Sequence, residues 1–275
     1  KYNLGVLVFF RSDGTATYPV ADLALAEEKF KKFKIDKSIY IVDVRQALYF
    51  KQLFKILELM GYKKEMIHLG YEFLKLPTGM MSSRTGQVIT FEELRDQIFA
   101  KAQEETKARH QEWDEEKINE VARILALGAM KFEMIKVGAD QVITFDIEQA
   151  LSFSGFTAAY LQYTYARLDS IIRKAGEIKN KVEYSLLTEN KENEIVMMLA
   201  KFPETIMRAG KEYNPSEIAK YLFELAQMTN DYYHQIPVMK AEEDIKQARL
   251  SLISSVNQVI ESGLEMLGVE ILKEM

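Results

Sequence analysis

Ser38-Ile-Tyr-Ile-Val-Asp43, followed by Gln46 to Met60, Gly61 and then Met66-Ile-His-Leu69, is the run whose reading decides the fold. Its first segment is short, apolar and rich in β-branched residues, the composition of a strand buried in a parallel sheet. Gln46 to Met60 carries apolar residues at helical spacing and is stopped by Gly61, and Met66 to Leu69 is strand-like again. Strand, helix, strand at this spacing predicts a βαβ unit, which places a ligand at the carboxyl ends of its strands.

Upstream, Val6-Leu-Val-Phe-Phe10 predicts a further strand, ended by the turn signal Ser12-Asp-Gly14, and a helical pattern runs from Asp22 to about Phe33. Lys1 to Phe10 has no signal-peptide character and no linker before it, so the chain is expected to start inside a domain. Downstream the character changes. A charged helix is predicted from Phe91 to about His110 with Thr90 as its cap, and another from Glu115 to about Met134. Val142 to Phe145 reads as a brief strand. Helices then dominate over Thr157–Ala175, Glu192–Lys201, Pro215–Asp231 and Ala241–Gly268, with Pro203, Pro215 and Pro237 as punctuation. The expected architecture is a partial α/β nucleotide-binding (Rossmann-like) domain over residues 1–140, followed by an all-α helical bundle over 141–275.

Composition narrows the function classes. The chain has 275 residues, 48% hydrophobic and 28% charged, without an apolar run long enough to span a bilayer, so no membrane partner is expected. The absence of cysteine removes disulfides, thiolate nucleophiles and thiolate zinc sites and suits a reducing cytoplasm. His68, His110 and His234 stand in no metal-ligand spacing, so no tightly bound metal is expected. A net charge of -5 rules out a wholesale basic face, which makes any nucleic-acid contact local.

Two constellations carry chemistry. Gly79-Met-Met-Ser-Ser-Arg-Thr-Gly86 joins strand to helix; its glycines permit close backbone approach, Ser82, Ser83 and Thr85 offer hydroxyls, and Arg84 has a fork that fits phosphate oxygens. An ordinary glycine-bounded turn fits the same letters. Tyr18 and Asp22, four apart on one helix face, together with Gln46 at the end of the next strand, form a set that would hold a planar cation. These three also fit scaffold roles, with Asp22 favoured by the helix dipole.

Taken together, Ser12-Asp-Gly, Tyr18-x-x-x-Asp22, Gln46-x-x-Tyr-Phe50-Lys-Gln-Leu-Phe54, Leu57-Glu-Leu-Met-Gly61 and Gly79 to Gly86 closely resemble the second half of the catalytic domain of arginyl-tRNA synthetases. The glycine-bounded loop looks like that family's form of the class I K-M-S-K-S signature. Phe145-Asp-Ile, Leu151-Ser-Phe-Ser-Gly155, Tyr160-Leu-Gln-Tyr163 and Ala166-Arg167 are similar to the entry into its helical anticodon-binding domain, and Gly263 to Met275 to that domain's ending. The resemblance covers essentially the whole chain.

The resemblance implies an aminoacyl-tRNA ligase that activates arginine with ATP and Mg2+ and passes it to tRNA(Arg) in the cytoplasm. Tyr18, Asp22 and Gln46 would then bind arginine; Tyr49, Met81 and Arg84 would border ATP; and Ser82, Ser83 and Arg84 would stabilise the charge developing at the α-phosphate. Tyr160, Tyr163 and Arg167, on one face of a helix, would meet tRNA by stacking and phosphate contact, although packing between helices is an equal use of that spacing. The H-I-G-H-type signature is absent, so the chain is expected to need an amino-terminal half and to be inactive alone; a non-catalytic tRNA-binding or protein-interaction module is the alternative. The family's Thr-Arg before the aspartate is Val20-Ala21 here, its His-Phe is Tyr49-Phe50, and Arg84 is the lone basic residue of the loop. Val6–Phe10 and Ile39–Val42 would present an uncovered sheet edge that drives self-association.

Overall fold

The computed structural model describes residues 2–77, 89–179 and 181–275. The loop 79–86, with Met81, Ser82, Ser83 and Arg84, therefore lies outside the described residues. Packing divides the chain into two compact units, one of Lys1–Phe73 with Ala139–Val142, the other of Leu74–Gly138 with Ile143–Met275.

The first unit contains the βαβ motif. Helix α1 (Tyr18–Phe33) precedes strand β1 (Lys37–Asp43), a short 3-10 turn (Val44–Gln46), helix α2 (Ala47–Leu59) and strand β2 (Glu65–Tyr71). The two strands pair in parallel from Lys37 opposite Glu65 to Asp43 opposite Tyr71. Alternation then sorts the side chains: Ser38, Tyr40 and Val42 turn inward, while Ile39 and Ile41 stay exposed. Tyr40 packs between Phe50 and Phe54 of α2 at centroid distances of 5.1 and 5.3 Å, and Leu53 and Leu57 complete this small core with Ala26 of α1. Only one face of the pair is covered, so the fully buried strand expected at 38–43 is half realised.

The strand predicted at Val6–Phe10 does not form. A single antiparallel bridge joins Phe10 to Ala16 across the predicted turn, where Gly14 has φ +80° and Asp13 accepts from the Thr15 amide at 2.8 Å. Side chains take the carbonyls that a neighbouring strand would have used. Gln52 donates to Leu4 and Val6, and the Thr17 hydroxyl donates to Val8 and Phe9 at 2.5 and 2.9 Å. Thr17 is the N-cap of α1, and Pro19 sits where a missing N–H leaves no bond unmade, which is why α1 starts ahead of Asp22.

Among the described residues the second unit is helical apart from two short strands, β3 (Leu74–Lys75) and β4 (Ile143–Thr144), which pair in parallel. Helix α3 (Phe91–Arg109) opens with a full capping box between Thr90 and Glu93, and α4 (Glu115–Ile135) is capped by Asp114. Then follow α5 (Ile147–Ala150), α6 (Ala158–Ala175), α7 (Asn190–Ala200), α8 (Phe202–Glu212), α9 (Ser216–Gln235) and α10 (Glu243–Met266). One apolar cluster, with Leu161, Leu168, Leu222, Leu225, Ile253 and Ile260, fills the space between α6, α9 and α10; a second, with Ile98, Leu125 and Phe145, lies between α3 and α4. The segment after α10 is strapped down by Gln162, whose amide donates to the Glu270 carbonyl at 2.7 Å, and by buried Val269 and Leu272. Among the described residues no helix is long and apolar enough to cross a membrane.

Candidate functional site

The site in the first unit is built by the starts of two helices. Strand β1 ends at Asp43, whose carboxylate accepts from the Arg45 amide and, in two further bonds of 2.8 Å, from the Arg45 guanidinium. That pairing holds the Asp43 carboxyl below its ordinary value and leaves Gln46 exposed as the N-cap of α2. Tyr49 follows Gln46 by three positions, one turn into α2, so both point from the same end of the helix. From the other side α1 brings Tyr18 and Asp22, four apart. The Tyr49 hydroxyl donates to the Asp22 carboxylate, a contact spanning 27 positions that ties the two helix starts together. Burial, then that hydrogen bond, raises the Tyr49 phenol far above its ordinary value, which keeps it a neutral donor. Asp22 is half-buried, while Tyr18 is 84% exposed.

The result is an acceptor, Asp22, restrained by one phenol, with an amide and a second phenol at the same end of the motif. Such a set suits a planar cation that donates to Asp22 while its remaining N–H groups meet Gln46 and water. Tyr49, expected to border ATP, touches Asp22; this was not legible from sequence because a partner 27 positions away leaves no local signature. Met81, Ser82, Ser83 and Arg84 cannot be set beside this group, since they fall outside the described residues.

The helix-face trio divides. Tyr160 is half-buried, its ring meets Phe223 edge-on at 5.4 Å, and its hydroxyl accepts from Asn230 at 2.9 Å. Tyr163 is 41% exposed and meets the Phe153 ring at 6.1 Å, and the Arg167 guanidinium lies 5.0 Å from the Tyr233 ring centroid. Tyr163, Arg167 and Tyr233 line one open groove of about 710 Å³ in the second unit, and Tyr160 does not. The groove also draws on Trp113 and Lys273, which sequence reading passed over. The sole tryptophan of the chain, in a loop between two charged helices, was the signal available. Among the described residues no group of three or more acidic or histidine side chains could hold a metal ion.

Residues 1–145 match the family described as class I (R) tRNA synthetases, catalytic domain. The chain belongs to the arginyl-tRNA synthetase family. Residues 161–275 match a second family, the DALR anticodon binding domain. The arginine--tRNA ligase of Clostridium acetobutylicum is 36% identical over 278 aligned residues, covering 100% of this chain and 49% of the relative, and that of Bdellovibrio bacteriovorus is 35% identical over 97% of this chain and 47% of the relative. The Thermus thermophilus arginyl-tRNA synthetase structure superposes with a TM-score of 0.88 at 30% identity, covering 98% of this chain and 51% of the other. The Plasmodium falciparum enzyme, at 19% identity and TM-score 0.80, shows the same fold. The chain thus spans about half the length of the synthetases it matches. The fold class read from the sequence agrees with these findings: part of a class I catalytic domain, then a helical anticodon-binding domain.

Proposed function

We propose that this chain supplies the arginine-handling side and the tRNA-binding part of a cytoplasmic enzyme that activates arginine with ATP and transfers it to tRNA(Arg). In this reading residues 1–140 are the second half of the catalytic domain and 141–275 the anticodon-binding domain. The observation that carries it is the Tyr49–Asp22 hydrogen bond, which ties the starts of α1 and α2 together, Asp22 following Tyr18 by four positions on one and Tyr49 following the Gln46 N-cap by three on the other. A guanidinium bound by Asp22 and Gln46 is separated from neutral isosteres of the same shape, because those bring no positive charge to the half-buried Asp22 carboxylate and turn a carbonyl oxygen to one of the positions where the guanidinium donates. Ser82, Ser83 and Arg84, with Met81, serve the phosphates of ATP, whose Mg2+ arrives with the nucleotide. Catalysis in such a site is positioning and charge stabilisation, with no covalent enzyme intermediate.

The groove is the tRNA side, contacted through Tyr163 and Arg167, with Tyr160 holding α6 against α9 through Asn230. The sequence contains no His-Ile-Gly-His, so activity requires the other part of the catalytic domain. The test joins this chain to the upstream half of a relative and measures arginine-dependent ATP–pyrophosphate exchange with tRNA present. Exchange that vanishes in Asp22→Ala supports the reading; exchange unaffected by it, or none from the joined protein, refutes it. Exposed Val6, Val8, Phe10, Ile39 and Ile41 form the surface through which copies of the chain associate, and light scattering that shows only monomer at every concentration contradicts that part.

A further inference from the structure

The groove of the second unit has a wall that the tRNA reading leaves unassigned. Helix α3 ends at Arg109 and α4 is capped by Asp114, so residues 110–114 make a tight corner. There the Trp113 amide donates to the His110 carbonyl at 3.2 Å and folds the two rings onto each other, 3.7 Å between centroids and 8° from parallel. Lys117 lies 4.1 Å from the indole centroid, and Glu112 holds the imidazole Nδ1 at 3.2 Å. Beside this corner the Arg109 guanidinium covers the Phe153 ring at 4.0 Å, and Phe153 in turn meets Tyr163. His110 and Trp113 line the groove together with Tyr163, Arg167 and Tyr233.

Charge and shape select the occupant. The lining holds Arg167, Arg173, Lys174 and Lys273 against Glu112 and Glu274, a local cationic excess on a chain whose net charge is -5. Aromatic rings interleaved with cations fit unpaired nucleotides, whose bases have π-faces and whose phosphates need charge. A paired stem keeps its bases stacked inside and gives the rings nothing to meet.

We propose that the His110–Trp113 pair is an RNA-contact wall: Lys117 covers one face of the indole and His110 the other, so an unpaired base of the bound tRNA continues the stack on the outer face of His110 while Lys174 or Lys273 meets its phosphate. The inference rests on the tRNA reading of the groove. Both rings lie outside residues 161–275 that match the anticodon-binding family, so the groove is assembled from two stretches of sequence that the family matches keep apart. Because the two rings are already stacked on each other, little rotamer freedom remains to be lost on binding.

Trp113 is the only tryptophan, so its emission reports on this wall directly. The full chain is titrated with a labelled anticodon stem-loop of tRNA(Arg) and with a fully paired hairpin of equal length, following RNA anisotropy and Trp113 emission in parallel. The expected result is quenching that saturates together with the anisotropy for the stem-loop only. Trp113→Leu and His110→Ala should weaken stem-loop binding about 10-fold or more, and Trp113→Phe should restore it to within about 3-fold, with unchanged melting curves. Stem-loop binding without quenching and without loss in Trp113→Leu overturns the wall, and if Tyr163→Ala still weakens binding then the tRNA reading of the groove survives it. Equal binding of stem-loop and hairpin also overturns the wall, since the contact is then only electrostatic. No RNA binding at all overturns both.

Discussion

Replacing Arg249 with Met tests the account of the helical unit at its most demanding point. Glu192 is fully buried at the start of α7, and one of its oxygens accepts from Arg249 Nε at 2.7 Å and from the Tyr232 hydroxyl at 3.1 Å. Its other oxygen accepts from the Glu189 amide at 3.0 Å, and Arg249 also donates to the Pro237 carbonyl at 2.9 Å. The network therefore ties α7, α9 and α10 to one carboxylate. Arg249→Met fills most of the same volume but removes the only cation ion-paired with Glu192 among the described residues. Breaking one side of a buried pair costs about 3–5 kcal/mol, because the surviving charge stays desolvated. At roughly 2–4 °C per kcal/mol for a domain of this size, the melting temperature should fall by about 10 °C. Urea unfolding followed by Trp113 emission, which reports on the second unit, measures the cost, and a thermal melt by the same probe measures the shift. The double variant Glu192→Met with Arg249→Met should recover part of the loss, short by about 1 kcal/mol for each of the Tyr232 hydroxyl and the Glu189 amide, both left without their acceptor. A cost under about 1 kcal/mol for the single variant, or a double variant worse than the single, refutes the reasoning.

Three further outcomes follow from the same structure. A Cβ at Gly263 would stand 2.5 Å from a methyl of buried Leu222, so Gly263→Ala should destabilise by about 1–3 kcal/mol in urea melts despite its better helix propensity. Burial pushes the Tyr165 and Tyr221 phenols up to about 12 from 10.0; neutral phenols favour the folded state fully below pH 10, and that stability is lost as pH rises towards 12. Ultraviolet titration should show these two ionising after the exposed tyrosines, and simultaneous ionisation near pH 10 in the folded protein contradicts it. Burial raises the Glu133 carboxyl above 4.5 even with Lys136 beside it at 2.5 Å, so this group favours folding most at pH below 4.5 and less as pH climbs through its folded value. Glu133→Gln keeps an acceptor for Lys136 and should flatten the stability–pH slope just above 4.5.

What the sequence disclosed and withheld follows from range. The βαβ unit was legible because residues 38–69 carry strand and helix periods in immediate succession, and Thr90 with Glu93 announces the start of α3 in four letters. Val6–Phe10 misled because a β-rich composition describes side chains that would suit a sheet, whereas a strand also needs a neighbour, and here Gln52 and Thr17 satisfy the backbone. The sequence does not announce helix α8 because Pro203 reads as a stop, whereas in the structure it occupies the second helical position, where no N–H is needed. In the site, the spacing of Tyr18 and Asp22 was readable within one helix. The bond from Tyr49 to Asp22, the Glu192 network and the meeting of Trp113 with Tyr163 at one groove are tertiary, with partners 27 to 57 positions apart in the bonds that define them.

The central claim is that Asp22, set by Tyr49 and flanked by Gln46 and Tyr18, reads a guanidinium. Calorimetric titration of arginine and of citrulline, its neutral planar isostere, into the chain joined to the upstream half of a relative tests it most directly. The account predicts arginine bound about 100-fold or more tighter than citrulline, with that preference erased in Asp22→Asn. Discrimination that survives Asp22→Asn unchanged would contradict it.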